Sequence, residues 1–408
     1  MNRLYRNGLL PVLGGLCALM VAMGIGRFAY TALLPGMMDT HGFGEDVAGV
    51  MAAWNYAGYL AGVLAMRKET PGVRRDALFV FFLLLSVATT AGMGLVQTNL
   101  LWHTMRFLAG FASGASFVLC SAIVLDTLII INKPMLAGIL YSGVGAGIAL
   151  GGIAAKPFEA MGGPATAWLG MAALCLPLAI ISFTTMTSCP AINRAPVPKL
   201  SMASATVWQN GKPRNKYGIL LIVYFLEGFG YIIGATFLVT LVQTVTHSPD
   251  IARISWIVTG CAAALSAPLW RIAVRKSYLP ALVLAFLVQG IGILLPVISN
   301  SIFAALSAGL LLGGTFMGIT TLSLQYGITL SGKPSAHTVA VMTALYGVGQ
   351  IIGPLIAGIT AQGQGFSLAF ILSAISLFIA AGLLIISNIK KSSRIMIQPP
   401  SDDAIVKR

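Results

Sequence analysis

Twelve separate apolar runs, each near the roughly 20 residues that an α-helix needs to cross a bilayer, take up most of this sequence. They fall at 9–37, 47–66, 77–97, 100–125, 135–155, 164–186, 217–245, 254–273, 279–298, 301–326, 337–360 and 367–388. The alternating pattern of roughly 9–11 residues that marks an outer-membrane barrel strand is absent, so each run reads as a membrane-spanning helix. With 57% apolar and 9% charged residues, the chain lies far from a soluble domain, where about 25% of residues are charged. The first run follows Arg3 and Arg6 but continues past signal-peptide length, so a retained helix is expected rather than a cleaved leader.

A net charge of +14 would suggest nucleic acid in a soluble protein; here the distribution explains it. If the amino terminus is cytoplasmic, every basic residue lies in a cytoplasmic segment except Arg27, Arg106, Lys156 and Arg253. That bias places both ends in the cytoplasm. The basic loops are suited to anionic lipid and require no nucleic-acid partner. The five cysteines have no C-x-x-C or metal-ligand spacing and read as small buried hydrophobes; neither metal nor cofactor is expected. Residues 187–216 turn polar, with Pro190, Pro196, Pro198 and Pro213, and read as a cytoplasmic connector between halves at 1–186 and 217–389. A cytoplasmic tail, expected to be disordered, occupies 390–408.

Sliding the chain against itself by 204 residues places Gly14 on Gly218, Gly24 on Gly228, Gly26 on Gly230, Gly110 on Gly314, Gly114 on Gly318, Gly143 on Gly347 and Gly145 on Gly349. Glycine in a membrane helix lets a neighbouring backbone come close, so matching glycines imply matching helix contacts. The fold expected is all-α, with twelve transmembrane helices in two pseudo-symmetric six-helix bundles and a solute site between them near the midplane.

Two charges sit where hydrocarbon should be. Arg27 lies inside Gly24-Ile25-Gly26-Arg27-Phe28-Ala29-Tyr30-Thr31, and Glu227 is an acidic residue in the middle of an apolar run. A lipid-facing arginine at that depth costs about 2.5–3.5 kcal/mol on insertion scales, so a polar interior and a partner are expected for it. In the repeat register Met23 falls on Glu227 and Arg27 on Tyr231, which would set Arg27 and Glu227 across the central axis, offset by about 6 Å. The expectation is an ion pair in a wet chamber. A substrate anion would take the Arg27 guanidinium in two hydrogen bonds and free Glu227 to accept a proton. The alternative is an ion pair that only holds the halves together. Tyr30, Asn55, Tyr231 and Gln350 are candidate solute contacts, with Gln289, Gln325 and Tyr346 of the same kind, and for each a helix-to-helix hydrogen bond is the competing role. Of Trp54-Asn55-Tyr56, Asn55 and one ring are expected to face the cavity.

Arg106-x-x-x-Gly110-x-x-x-Gly114, the helix-5 run Gly143-x-x-x-Gly147-x-x-x-Gly151-Gly152, and Gly349-x-x-x-Gly353-Pro354 resemble motifs of the major facilitator superfamily. Ile148 stands where proline is usual, and Met66 replaces the acidic residue of the loop motif after helix 2. Gly26-Arg27-Phe28-Ala29-Tyr30-Thr31 and Glu227-Gly228-Phe229-Gly230-Tyr231 are similar to the bacterial YbfB/YjiJ-type branch. The resemblance implies proton handling by Arg106, as well as a monomeric secondary transporter of the bacterial inner membrane working by alternating access. The solute expected is small, organic and of anionic character, with protons as coupling partner. Proton-driven efflux of drug-like compounds or metabolites is the alternative, favoured by the helix-5 glycines. An enzyme is disfavoured because no catalytic constellation appears at depth.

Overall fold

The computed structural model describes residues 8–66, 72–133, 136–187, 214–274, 277–332, 335–363 and 365–392, and among these there are helices and turns but no strand. The connector and the tail foreseen from the sequence fall almost wholly outside the described residues. Among the described residues, eleven helices are long and apolar enough to cross a membrane. One of them, Ala137–Thr187, is broken where Gly162 and Gly163 leave helical geometry, Gly163 at φ 75°, and it therefore supplies two spans.

The twelve spans are α1 (Leu9–His41), α2 (Glu45–Ala65), α3 (Gly72–Leu95), α4 (Asn99–Ile130), α5 (137–161), α6 (164–187), α7 (Arg214–Thr246), α8 (Pro249–Ala273), α9 (Tyr278–Ile298), α10 (Ile302–Ser331), α11 (Ser335–Ala361) and α12 (Ser367–Ser392). Within α1, residues Met20–Ile25 form a π-helical segment that closes immediately before Gly26 and Arg27. Because successive spans alternate in direction, the corners at 42–44, 96–98, 162–163, 247–248, 299–301 and 362–366 gather on one face, termed the far face; residues 8 and 392 lie at the opposite one.

Glycines set the helix contacts. A Cβ at Gly110 would press on the Asn55 carbonyl, and one at Gly58 on that of Phe107, so α2 and α4 meet backbone to backbone. In the same way Gly24 and Gly147 join α1 to α5, while Gly228 against Tyr346 and Gly349 against Phe225 join α7 to α11. These last two helix pairs are equivalent in the 204-residue register. Such close approach adds van der Waals contact where lipid supplies no hydrophobic drive between helices.

Between the halves, Gly49 packs on Gly358, and Gly145 on Gly260 and Ala264. Thr31 Oγ1 donates to the Ala235 carbonyl at 2.8 Å across a separation of 204 residues, so equivalent positions of the repeat touch each other, as they do beside a two-fold axis. At the far face Lys156 Nζ of α5 lies 2.6 Å from Asp250 Oδ1 of α8, which Arg253 also approaches at 3.0 Å. Both partners of the inter-half pair are exposed, so screening leaves it little weight in folding stability. Lys156→Met should leave the melting temperature unchanged and lengthen the mean distance between spin labels on the far-face ends of α5 and α8, measured by pulsed dipolar spectroscopy.

Candidate functional site

Arg27 is 2% exposed and is held by rings. Its guanidinium carbon lies 4.2 Å from the ring centroid of Tyr59, 4.7 Å from that of Tyr56 and 5.4 Å from that of Phe28. A desolvated guanidinium gains about 2 kcal/mol over an aromatic face, which goes some way to offset burial. Tyr56 and Tyr59 stand three residues apart on α2 and so share one side of it. Arg27 Nε and Nη2 are buried and meet no protein acceptor. These two nitrogens form one edge of the guanidinium, the parallel pair of donors that grips a carboxylate or phosphate.

Arg106 is 1% exposed and differently engaged. Its guanidinium carbon sits 4.5 Å from the Tyr30 ring centroid, and Nη2 donates to the Arg27 carbonyl at 3.3 Å. One N–H of Nη2 thus ties Arg106 to the backbone of Arg27, while its Nε and Nη1 are buried without an acceptor, like the Nε and Nη2 of Arg27. Tyr30 donates its hydroxyl to the Ala48 carbonyl at 2.8 Å, and Asn55 Nδ2 donates to the Arg106 carbonyl at 2.9 Å. Tyr30, Asn55 and Arg106 therefore form the frame behind Arg27.

The expected pairing of Arg27 with Glu227 is not what the structure contains. Glu227 is fully buried within its own half, against Gln289 of α9; with the Gln289 amide turned so that its nitrogen faces the carboxyl group, Nε2 donates to both oxygens at 3.2 and 3.1 Å. The ion pairs among the described residues are Arg75–Asp126, Lys156–Asp250 and Arg253–Asp250. Two local features explain the difference. The π-helical segment, in which one turn takes an extra residue, lies directly before Arg27, and the tyrosines of α2 then enclose the guanidinium.

The other half contributes a stack. Tyr231 lies between Phe316, at 5.5 Å and 4°, and Tyr346, at 5.6 Å and 13°. Gln350 Nε2 donates to the Tyr231 hydroxyl at 2.7 Å, while Gln350 Oε1 is buried without a donor. Tyr231 and Tyr346 lie near Arg27, and Tyr56 shares a 2.8 Å hydrogen bond with Thr236. Arg27, Tyr231 and Gln350 are thus brought to one locus, with Tyr30, Asn55 and Arg106 behind it. Trp54 is 46% exposed and turns away onto Phe107, leaving Tyr56 as the inward ring; Gln325 is exposed.

Phe28 also touches Trp256 of α8, with centroids 6.2 Å apart. Trp256 lines a cavity of about 380 Å³ at the far face, together with Asp39, Lys156, Glu159, Asp250 and Arg253. This vestibule ends one aromatic contact short of the Arg27 cage.

A family model described as "Uncharacterised MFS-type transporter YbfB" matches residues 19–385. The chain belongs to this family. It is a membrane transporter of the major facilitator superfamily, and not an enzyme. Among curated proteins, none matches it. Solved structures agree in fold. A bacterial homologue of the human lysosomal transporter Spinster, inward-facing and unoccupied, is 14% identical with a TM-score of 0.68 over 98% of this chain and 100% of that one. A mutant form of the nucleoside transporter NupG is 14% identical with a TM-score of 0.67 over 93% and 100%. Arg27 and Tyr231 lie where the two bundles face each other. One polar pair missed in the sequence, Arg75 on α3 with Asp126 on α4 at 2.8 Å, joins the ends of those helices away from the far face.

Proposed function

We propose that this chain is a secondary active transporter that binds a small organic anion at Arg27 and carries it across the bacterial inner membrane by alternating access, coupled to protons. The observation that carries the reading is the unused Nε and Nη2 edge of Arg27, buried at the meeting of the two halves. A permanent positive charge with no acidic partner among the described residues, held in a low-dielectric interior, is energetically completed by an anion. The basic-residue bias supports cytoplasmic termini, and a monomer contains both halves of the site.

Glu227 is the proposed proton carrier. Its carboxyl group has one amide for company, and an ionised carboxylate so enclosed is expensive, so taking up a proton relieves it. Because Glu227 is not bound to Arg27, direct competition between substrate and acid is replaced by communication through Tyr346. That residue lies near Glu227 and stacks on Tyr231. Gln350 and Arg27 complete the link.

The test is transport in proteoliposomes loaded against a panel of organic acids, with and without an imposed pH gradient. Wild type should accumulate an acid against its gradient when the pH gradient is present. Glu227→Gln should retain binding and downhill exchange but lose accumulation; unchanged accumulation in that variant would remove Glu227 from the mechanism. Stabilisation by lipophilic cations alone, with no response to any acid, would instead favour the efflux antiporter expected from the helix-5 glycines.

A further inference from the structure

We propose that the anion held by Arg27 is a planar aromatic carboxylate with a hydrogen-bond donor on the side of the ring remote from the carboxylate; this rests on the reading of Arg27 as an anion site. The guanidinium lies over the rings of Tyr59 and Tyr56, so its edge, and not its face, is what a ligand can reach. A carboxylate gripped side-on lies in the guanidinium plane. A flat group attached to it then continues between aromatic walls.

Across the interface the wall is ordered. Phe316, Tyr231 and Tyr346 come from three helices, yet the planes of Phe316 and Tyr346 lie 4° and 13° from that of Tyr231. Tyr224 follows Tyr346 at 4.6 Å and 22°, so the stack is extended at its Phe316 end, where a planar ligand continues it at normal stacking distances and a puckered aliphatic ring fits poorly. Beyond Tyr231 stands the Gln350 side-chain oxygen, buried and without a donor, its amide nitrogen already used on the Tyr231 hydroxyl. A buried acceptor left unmade is costly, and a ring O–H or N–H satisfies it. Carboxylate at Arg27, ring along the tyrosines and donor at Gln350 make a single recognition pattern drawn from both halves.

The full-length protein in lipid nanodiscs, titrated calorimetrically with benzoate, 4-hydroxybenzoate, cyclohexanecarboxylate and benzamide, tests this. Benzoate should bind about tenfold more tightly than cyclohexanecarboxylate, 4-hydroxybenzoate more tightly again, and benzamide not measurably. Tyr59→Leu should bring the benzoate-to-cyclohexanecarboxylate ratio near one, and Tyr59→Phe should keep it. Tyr231→Leu offers the same readout from the other half if Tyr59→Leu fails to fold. Gln350→Leu should erase the advantage of the hydroxyl.

Equal affinities for the two ring acids, both lost in Arg27→Ala, would overturn the aromatic assignment and leave the anion site standing. Acid binding indifferent to Arg27→Ala would overturn both. If none of the three acids binds, the aromatic assignment fails, and Arg27-dependent binding of acetate or succinate then decides whether the anion reading survives.

Discussion

Arg27→Ala should abolish acid binding while leaving the empty transporter at least as stable as the parent. A carboxylate in two charge-assisted bonds to one guanidinium gains about 1.5–3 kcal/mol per bond, so removing both weakens binding by about a hundredfold to ten-thousandfold. The stability half of the expectation separates this arginine from a structural one. Were Arg27 half of a buried ion pair, its removal would strand a carboxylate and destabilise by about 3–5 kcal/mol. No acid is stranded here, because Glu227 is occupied with Gln289 and Arg27 is surrounded by rings. Thermal unfolding of the empty protein, together with calorimetric titration, checks both halves. A large fall in melting temperature in Arg27→Ala would show that the guanidinium is scaffold.

The second large effect comes from glycine and depends on which contact the glycine makes. Gly145→Val should give a folded, monodisperse protein that binds but does not transport, because its side chain lands on Gly260 and Ala264 of the opposite half. Whole bundles can retreat from such a wedge, but they can no longer close on that line. Gly110→Val places its side chain on the Asn55 carbonyl within one half, where the neighbouring backbone has nowhere to go. Overpacking of this sort costs about 1–3 kcal/mol and occasionally more, and here it also disturbs the carbonyl of Arg106, to which Asn55 donates. Size-exclusion profiles and exchange rates in liposomes distinguish the outcomes: Gly110→Val should aggregate or fail to accumulate in the membrane. Transport by Gly145→Val at the parental rate would mean that the α5–α8 seam does not need to tighten during the cycle.

The twelve spans were legible because each is a long apolar run, and the two-bundle plan because glycines repeat at one offset. Both signals are direct products of the bilayer, which demands length and rewards close backbone approach. Arg27 was legible as a charge buried at membrane depth, where such groups have few uses. Its surroundings were not. Reading facing residues from helical spacing assumes an unbroken 3.6-residue turn, and the π-helical stretch Met20–Ile25 breaks that assumption next to the residue that matters. The role of Tyr59 was hidden because a tyrosine near the middle of an apolar run looks like any large core side chain, and only its position beside Tyr56 with a cation above both reveals it. Gln289 was noticed as polar at depth, yet no sequence signal ties it to Glu227, since α7 and α9 are brought together by the packing of the bundle.

The corners of the far face are two to five residues long, several of them fixed by capping side chains or left-handed glycines such as Gly42, Gly163 and Gly363. Among the described residues, a rim built that way has no flap to lift. In the proposed alternating-access cycle the vestibule opens by leaning one whole bundle against the other, a displacement that drags the surrounding lipid with it. Turnover should therefore depend on the thickness and fluidity of the host bilayer in a way that an enzyme with a hinged lid would not.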